Sequence, residues 1–153
     1  MQFETLVKTK GITQYPKIKG VIGEYCNVLY DELLTSGYSL LLEDVQDIVL
    51  SDVRKMAGWG HLECQLVADE TAILTFDIDL STVLLADEWV VVEPVVRSHC
   101  DLVQARRMEG SQALGVMAFG LQSSEALQNY NMAVETMKKE AFHNAPFSVD
   151  YDD

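Results

Sequence analysis

Apolar residues recur every three to four positions through two stretches in the first third of the chain, which is the period of an α-helix. The first stretch follows Pro16, a residue suited to the first turn of a helix, and Ser36-Gly37 supplies its stop signal. Its apolar positions are Ile18, Val21, Ile22, Tyr25, Leu29 and Leu33. The second stretch covers residues 41–57 and ends before two glycines. The pattern therefore predicts two consecutive helices.

The second predicted helix has a clear apolar side. The residues on that side are Leu42, Val45, Ile48, Val49, Val53 and Met56. Three acidic residues, Asp44, Asp47 and Asp52, are expected on the opposite side, where they would meet water.

Between residues 61 and 81 the apolar period changes to two, which is typical of a β-strand with one buried face. The alternating apolar residues are Leu62, Cys64, Leu66 and Ala68, followed by Ala72, Leu74, Phe76, Ile78 and Leu80. The sequence therefore predicts a β-hairpin over residues 61–81. Because an isolated hairpin is marginally stable, it must lie on helices or on another subunit.

The remaining apolar positions predict two further helices. Residues 86–108 keep helical spacing, although Pro94 and the β-branched run Val90-Val91-Val92 disfavour a helix, so we expect a helix bent near Pro94. Ser123 or Ser124 is a suitable cap for the last helix. The apolar side of that helix contains Leu127, Tyr130, Val134, Met137 and Ala141.

These elements predict an α+β fold that is mostly α, with about four helices and a β-hairpin inserted between the second and the third. The 153 residues contain no repeat and no Pro- or Ser-rich linker, so we expect a single domain over residues 1–153. Residues 1–12 are expected to form an extended arm, and residues 145–153 a C-terminal tail.

The chain carries 24 acidic and 11 basic residues, a net charge of −13. This balance excludes a general nucleic-acid coat and a basic membrane-surface protein, because phosphate binding needs an excess of Lys and Arg. Residues 1–20 nevertheless carry a net charge of +3, which leaves −16 on residues 21–153. The basic residues of this segment are Lys8, Lys10, Lys17 and Lys19. Either the segment is solvated, or it docks on the acidic face of another copy or of a partner.

No apolar run reaches the ~18 residues that a membrane-spanning helix needs, and Met1-Gln2-Phe3-Glu4 does not resemble a signal peptide. The three cysteines, Cys26, Cys64 and Cys100, are too few for a disulfide framework. We therefore expect a protein that is made in the cytoplasm, keeps its thiols reduced and has no membrane partner.

Two groups of residues offer candidate chemistry. His61-Leu62-Glu63-Cys64 and His99-Cys100 carry zinc-ligating atoms, but helical neighbours point about 100° apart, so the second pair does not readily share one ion. The other interpretation is two buried thiols and two histidines at polar edges. Asp77 and Asp79 share one face of a predicted strand, where they would bind Mg²⁺, act as an acid–base pair or form a solvated face.

The sequence contains no nucleophile motif and no phosphate-binding loop. We therefore predict a protein that is not an enzyme, with no catalytic residues, no cofactor and no metal. The alternative is a small cytosolic enzyme or ligand-binding domain with a pocket between the hairpin and the third helix. Its candidate residues are Asp77, Asp79 and His99.

Residues 110–122 are apolar although glycines interrupt them, whereas loops are normally polar. The apolar residues are Leu114, Val116, Met117, Phe119 and Leu121. The segment either folds back over its own core or contacts another subunit. Arg106-Arg107 directly precedes it, and the acidic body of a neighbour would complement those charges.

A series of short motifs runs through roughly residues 84–149. In chain order they are Asp87-Glu88-Trp89, Glu93-Pro94-Val95-Val96, the run from Gln104 to Gly110, Phe119-Gly120, Ser124-Glu125, Ala141-Phe142 and Ala145-Pro146-Phe147. The series resembles the head–tail connector, or adaptor, proteins encoded among the head and neck genes of tailed bacteriophages. The predicted hairpin departs from the all-helical connectors.

The resemblance implies a non-enzymatic virion protein that forms a homo-oligomeric ring, often of twelve copies, at the head–tail neck. It implies a portal protein on one side, a tail or neck protein on the other, and a channel through which DNA passes without specific binding. A ring of acidic subunits would repel DNA from its wall, so the genome would slide. The residues expected at the subunit interface are Lys8, Lys10, Arg106, Arg107, Leu114, Met117, Phe119 and Phe147. The remaining alternative is an interaction adaptor unrelated to phages.

Overall fold

The computed structural model describes residues 20–66, 75–112 and 122–144. Within these ranges 81% of the residues are helical, and no strands form a sheet. The elements are α1 (Ile22–Thr35), α2 (Leu42–Trp59), α3 (Glu63–Leu66), a 3₁₀ turn (Thr75–Asp77), α4 (Ala86–Gln112) and α5 (Ser123–Asn144). None of the described helices is long and apolar enough to cross a bilayer.

Helix α2 lies at the centre of the fold. It packs against α1, α4, α5 and the 3₁₀ turn, while α4 and α5 make the most extensive helix–helix contact. Tyr25 of α1 stacks on Trp89 of α4, with the ring centroids 4.2 Å apart. Other fully buried side chains in this core are Ile22, Leu29, Leu62, Val45, Val49, Val53, Ile78, Leu84, Val92, Val95 and Met137. Burial of each large side chain contributes about 1.5–3 kcal/mol, so this apolar core is the main source of stability.

The start of α1 is held by carbonyl groups from residues 80–82. The Ile22 N–H donates to the carbonyl oxygen of Thr82 at 3.0 Å, and the Gly23 N–H donates to that of Leu80 at 2.8 Å. These are N–H groups that the first turn of a helix leaves without a helical partner. The segment before α4 therefore caps α1, and the two helices are fixed relative to each other.

Two glycines with positive φ flank α1. Gly20 has a φ of +86°, and its carbonyl accepts a hydrogen bond from the Leu84 N–H at 2.7 Å. At the other end Gly37 has a φ of +92°, and the Tyr38 N–H donates to the Leu33 carbonyl at 3.0 Å. This second bond is the one that defines a Schellman motif, so the predicted stop of the first helix is confirmed.

Asp44 caps α2 and joins it to α4. Its carboxylate accepts a hydrogen bond from the Leu41 N–H at 2.8 Å, which is one half of a capping box. The same oxygen lies 2.8 Å from an Arg107 guanidinium nitrogen of α4. Together these contacts hold the pKa of Asp44 below its usual value, with the backbone N–H of Leu41 as the largest cause.

The predicted β-hairpin is wrong, and so is the α+β fold class that depended on it. The described part of residues 61–81 contains α3, the 3₁₀ turn and a β-turn, and the nearest β feature is an isolated bridge between Val21 and Val83. A strand would place Phe76 and Ile78 on one face, but Phe76 is 71% exposed and Ile78 is fully buried. The carbonyls of residues 78, 80 and 82 accept hydrogen bonds from Arg54 and from α1, so they form no hairpin ladder.

The four long helices that the apolar pattern predicted are present, but the first begins at Ile22, and Val21, which was expected on its apolar side, is extended and lies before it. Helix α4 continues through Pro94 over 27 residues. Helix α5 begins with Ser123 as its first helical residue, and Gln122, not the predicted Ser123 or Ser124, occupies the cap position. The backbone N–H and the hydroxyl of Ser123 both donate to the Glu109 carboxylate, at 2.8 and 2.7 Å. Leu127 is 38% exposed, whereas its neighbour Ala126 is buried, so the apolar side of α5 is turned by one residue at this end. The predicted arm at 1–12 and tail at 145–153 lie outside the described residues.

Candidate functional site

Four polar side chains, one of them a fully buried carboxylate, lie together where α2, α4 and α5 meet. They are Asp52 and Lys55 of α2, His99 of α4 and Tyr130 of α5, and we call them the Asp52 cluster. The Nδ1 atom of His99 lies 3.1 and 3.0 Å from the two carboxylate oxygens of Asp52. The Tyr130 hydroxyl is 3.4 Å from Asp52 Oδ1 and accepts a hydrogen bond from the Lys55 ammonium group. The four side chains thus form one connected network.

Helical spacing explains why these polar residues meet. Asp52 follows Val45 by seven residues and precedes Met56 by four, so it falls on the apolar side of α2. Its side chain is completely buried, and the expectation that Asp52 faces water is wrong. Tyr130 likewise precedes buried Met137 by seven residues on α5. Helical spacing therefore places these polar side chains, like the apolar ones, on the buried sides of α2 and α5.

A buried carboxylate strongly destabilises a fold unless it is paired and hydrogen-bonded. Asp52 meets this requirement through His99, and the two aromatic rings around it add packing. The His99 and Tyr130 rings lie 4.8 Å apart between centroids, and the Lys55 ammonium lies 5.1 Å from the centre of the Tyr130 ring. The cluster consequently links three helices through directional contacts.

A carboxylate that holds an imidazole is also the arrangement that orients a general base in enzymes. Such a base needs a nucleophile or an acidic substrate proton within reach. Burial raises the pKa of Cys100 to about 12 and that of Cys26 to about 12, so both remain protonated thiols at neutral pH. These two buried thiols are therefore poor nucleophiles, and the contacts of the Asp52 cluster link α2, α4 and α5.

A cavity of about 220 Å³ lies in a different place, between α3 and the start of α4. The residues that line it are Met56, Gly60, His61, Leu62, Glu63, Leu85, Asp87, Glu88, Val91 and Ala141. Its apolar lining residues Met56, Leu62, Val91 and Ala141 are buried, whereas Glu63 and Asp87 are exposed. The cavity thus combines an apolar floor with an acidic rim.

Glu88 forms the link between the two helices at this cavity. One carboxylate oxygen accepts from the Glu63 N–H at 2.7 Å, and the other accepts from the Leu85 N–H at 2.8 Å. Both N–H groups lie at helix starts, where anionic groups are stabilised. Burial raises the pKa of Glu88 above its usual value and outweighs these hydrogen bonds, which lower it. Glu88 therefore acts as a structural clamp between α3 and α4.

No known protein family, curated protein or solved structure matches the sequence. A function for this chain therefore has to be argued from its own residues.

The structure describes two of the residues predicted to lie at a subunit interface. Arg106 is exposed. Arg107 is half-buried, and besides its ion pair with Asp44 it donates to the Ser39 carbonyl at 3.2 Å, so it serves within the chain. The others lie outside the described residues and stay predictions: Lys8, Lys10, Leu114, Met117, Phe119 and Phe147.

The residues considered for an enzyme do not come together. Asp79 accepts hydrogen bonds from the N–H and the hydroxyl of Ser81, at 2.8 and 2.6 Å, and Asp77 ends the 3₁₀ turn, so no shared strand face exists. His99 belongs to the Asp52 cluster, and His61 lines the cavity. Among the described residues, no three or more His, Cys, Asp or Glu side chains are grouped so as to hold a metal ion.

The sequence indicates His99 as a candidate, but no motif indicates its partners. Two features of the helical spacing nevertheless point to them. Asp52 and Tyr130 occupy positions on the apolar sides of their helices, and His99 itself follows buried Val96 by three residues. A titratable residue at a core position needs a partner from another helix. That requirement indicates a cluster, although it does not say which residues meet.

Proposed function

We propose that the chain is a non-enzymatic structural protein of a tailed bacteriophage, which forms a ring at the head–tail neck and joins the portal to the tail. The observation that supports this proposal most directly is the amount of apolar surface on a strongly acidic chain. Large side chains with more than half of their surface exposed include Phe76 (71%), Phe142 (65%) and Met132 (64%). Aromatic residues and Met are enriched in the cores of protein–protein interfaces.

These side chains lie on different parts of the molecule, on the 3₁₀ turn and along α5. Met132 and Phe142 are ten residues apart on α5, which places them about 80° apart around the helix axis. A subunit in a ring contacts one neighbour with one surface and the second neighbour with another. Apolar side chains on more than one surface fit such a head-to-tail arrangement.

The charge of the chain supports the same assignment. With a net charge of −13, a ring of many copies would surround its channel with negative potential. Duplex DNA would then be repelled from the wall instead of being bound to it. This is the behaviour required of a passage for a genome, and it explains how a DNA-handling role is compatible with so few basic residues.

The alternative of a small enzyme has little support among the described residues. Its candidates Asp77, Asp79 and His99 are spread over two separate places, and none of them lines the 220 Å³ cavity. The thiols of Cys26 and Cys100 remain protonated at neutral pH. A reaction would need groups that converge on one substrate.

The neighbouring genes provide the quickest test, because neck proteins are encoded among portal and tail genes. The decisive test is a phage that lacks this gene. We expect filled or emptied heads without attached tails in electron micrographs, and restoration of infectious particles when the wild-type gene is supplied in trans. Infectious virions with normally attached tails in the absence of the gene would refute the proposal.

A further inference from the structure

The described lining of the cavity between α3 and α4 carries negative charge that no basic residue of that lining balances. Three of the lining residues are acids, Glu63, Asp87 and Glu88, and none of those described is Lys or Arg. Lys138 of α5 is not among them, and its ammonium lies over the Trp59 ring, 5.8 Å from the ring centre. A cation that enters the cavity would therefore meet carboxylates and no competing positive side chain of the described lining.

Glu88 registers this excess of negative charge. Burial is the largest cause that raises its pKa, and the charges of Asp87 and Glu63 raise it further. Both oxygens of Glu88 already accept backbone hydrogen bonds, so the exposed carboxylates of Glu63 and Asp87 are the ones that a ligand can reach. The net charge of −13 on the whole chain adds a general attraction for cations and a repulsion for anions.

The floor of the cavity restricts which cation fits. Met56, Leu62, Val91 and Ala141 are buried and apolar, so they favour a ligand that covers them with apolar surface. A metal ion would gain nothing from this floor, and no group of His, Cys, Asp or Glu among the described residues is arranged to hold one. An organic cation with an apolar end meets both the floor and the rim.

The size and lining of the cavity narrow the choice further. A cavity of about 150 Å³ is enough for benzene, so one of about 220 Å³ holds roughly six to nine non-hydrogen atoms. The described lining contains no Phe, Tyr or Trp, which are the side chains that recognise quaternary ammonium groups. A primary ammonium group has three N–H donors, and these match carboxylate acceptors instead.

We propose that this cavity is a binding site for a small primary amine, whose apolar end lies on the floor and whose ammonium group contacts Glu63 and Asp87 at the rim. Each methylene group that the floor buries strengthens binding about fourfold. A carboxylic acid of the same size would be repelled by the rim and by the net charge of the chain. This inference does not depend on the proposed phage function.

A titration of the ¹⁵N-labelled full-length protein followed by two-dimensional NMR tests the site with four probes. The probe n-pentylamine has both features, methylamine has only the charge, 1-pentanol has only the apolar chain, and pentanoate has the opposite charge. We expect saturable shifts of the amide signals of residues 60–63 and 85–91 with n-pentylamine. Its affinity should exceed those of methylamine and 1-pentanol at least about tenfold, because each lacks one of the two contributions. Equal affinities for the amine and the alcohol, shifts that do not saturate, or shifts elsewhere in the protein would overturn the proposal.

Substitutions at the rim provide the matched comparison. Glu63→Gln/Asp87→Asn removes the two rim charges and should weaken n-pentylamine binding about tenfold or more, while 1-pentanol binding stays unchanged. The control Asp31→Asn/Asp47→Asn removes two exposed charges on α1 and α2 and should bind n-pentylamine like wild type. Equal affinity of both double variants for n-pentylamine would show that net charge, not the rim, attracts the amine, and would refute the proposal. The NMR spectrum of each variant shows whether it is folded, and if the rim variant is not, the four probes on the wild-type protein decide alone.

Discussion

Nδ1 of His99 lies 3.0 Å from Oδ2 of Asp52, a carboxylate without exposed surface at the junction of α2, α4 and α5. Replacing buried ion pairs by apolar residues often leaves stability unchanged, whereas removing one partner is strongly destabilising. We expect the pair to contribute more to the specificity of this helix arrangement than to the total stability. The hydroxyl of Tyr130 and the ammonium of Lys55 extend this specificity to α5 and back to α2.

Asp52→Ala should lower the free energy of unfolding by about 1–3 kcal/mol, because the His99 ring and the Tyr130 hydroxyl lose their buried hydrogen-bond partner. Urea denaturation followed through the fluorescence of buried Trp89 measures the change. Asp47→Ala is the matched control, since Asp47 is an exposed residue on the same helix and should change stability by less than about 0.5 kcal/mol. Similar effects of the two substitutions would contradict the structural role of Asp52.

Removing Asp52, His99 and Tyr130 together, which leaves only the exposed Lys55 of the cluster, should be better tolerated than removing Asp52 alone. The triple variant Asp52→Leu/His99→Leu/Tyr130→Phe replaces polar atoms by apolar ones of similar size. We expect its free energy of unfolding to lie above that of Asp52→Ala, because no polar side chain at this junction is left without its buried hydrogen-bond partner. A triple variant less stable than Asp52→Ala would show that the cluster stabilises the fold by more than mutual pairing.

The sequence predicts the long helices well because each depends mainly on local spacing and end signals. Ser36-Gly37 and Ser123 act within a few residues of the helix ends they mark. The prediction of a β-hairpin over residues 61–81 was wrong for the opposite reason. Its backbone groups bond to α1 and to Arg54 from distant parts of the chain, and such tertiary contacts override an alternating pattern. The Asp52 cluster was missed for the same reason, since its members come from three helices.

Asp44→Ala should cost about 1 kcal/mol at neutral pH, because α2 loses its cap and Arg107 loses an ion-pair partner. The loss of stability caused by Asp44→Ala should be largest at neutral pH and should become smaller in acid. Since the folded state lowers the pKa of Asp44, its contribution is complete above the unfolded value near 4 and disappears as the pH falls through the lower folded value. Thermal melts of both proteins between pH 7 and pH 2 measure this. A difference that grows in acid would contradict the assignment.

Gly20→Ala and Gly37→Ala separate backbone strain from steric crowding. Both glycines have positive φ, so alanine is strained at each by about 1 kcal/mol. A Cβ at Gly37 meets nothing within 4 Å, whereas a Cβ at Gly20 would lie 2.8 Å from the Leu84 carbonyl oxygen. Melting temperatures should fall by roughly 2–4 °C for Gly37→Ala and further for Gly20→Ala. An equal decrease would show that the contact at Leu84 relaxes without cost.

The exposed side chains of Phe76 and Phe142 should matter for assembly and not for folding. Because 71% and 65% of their surfaces are exposed, serine at either position should change the melting temperature little. If these residues contact neighbouring copies, Phe76→Ser/Phe142→Ser should shift the protein toward monomers in sedimentation velocity experiments, alone or with the portal protein of the same genome. Lys139→Ser, an exposed substitution on α5, is the control and should assemble like wild type. Wild-type protein that stays monomeric under both conditions would argue against a ring, and assembly that is unaffected by the double substitution would place the interface elsewhere on the molecule.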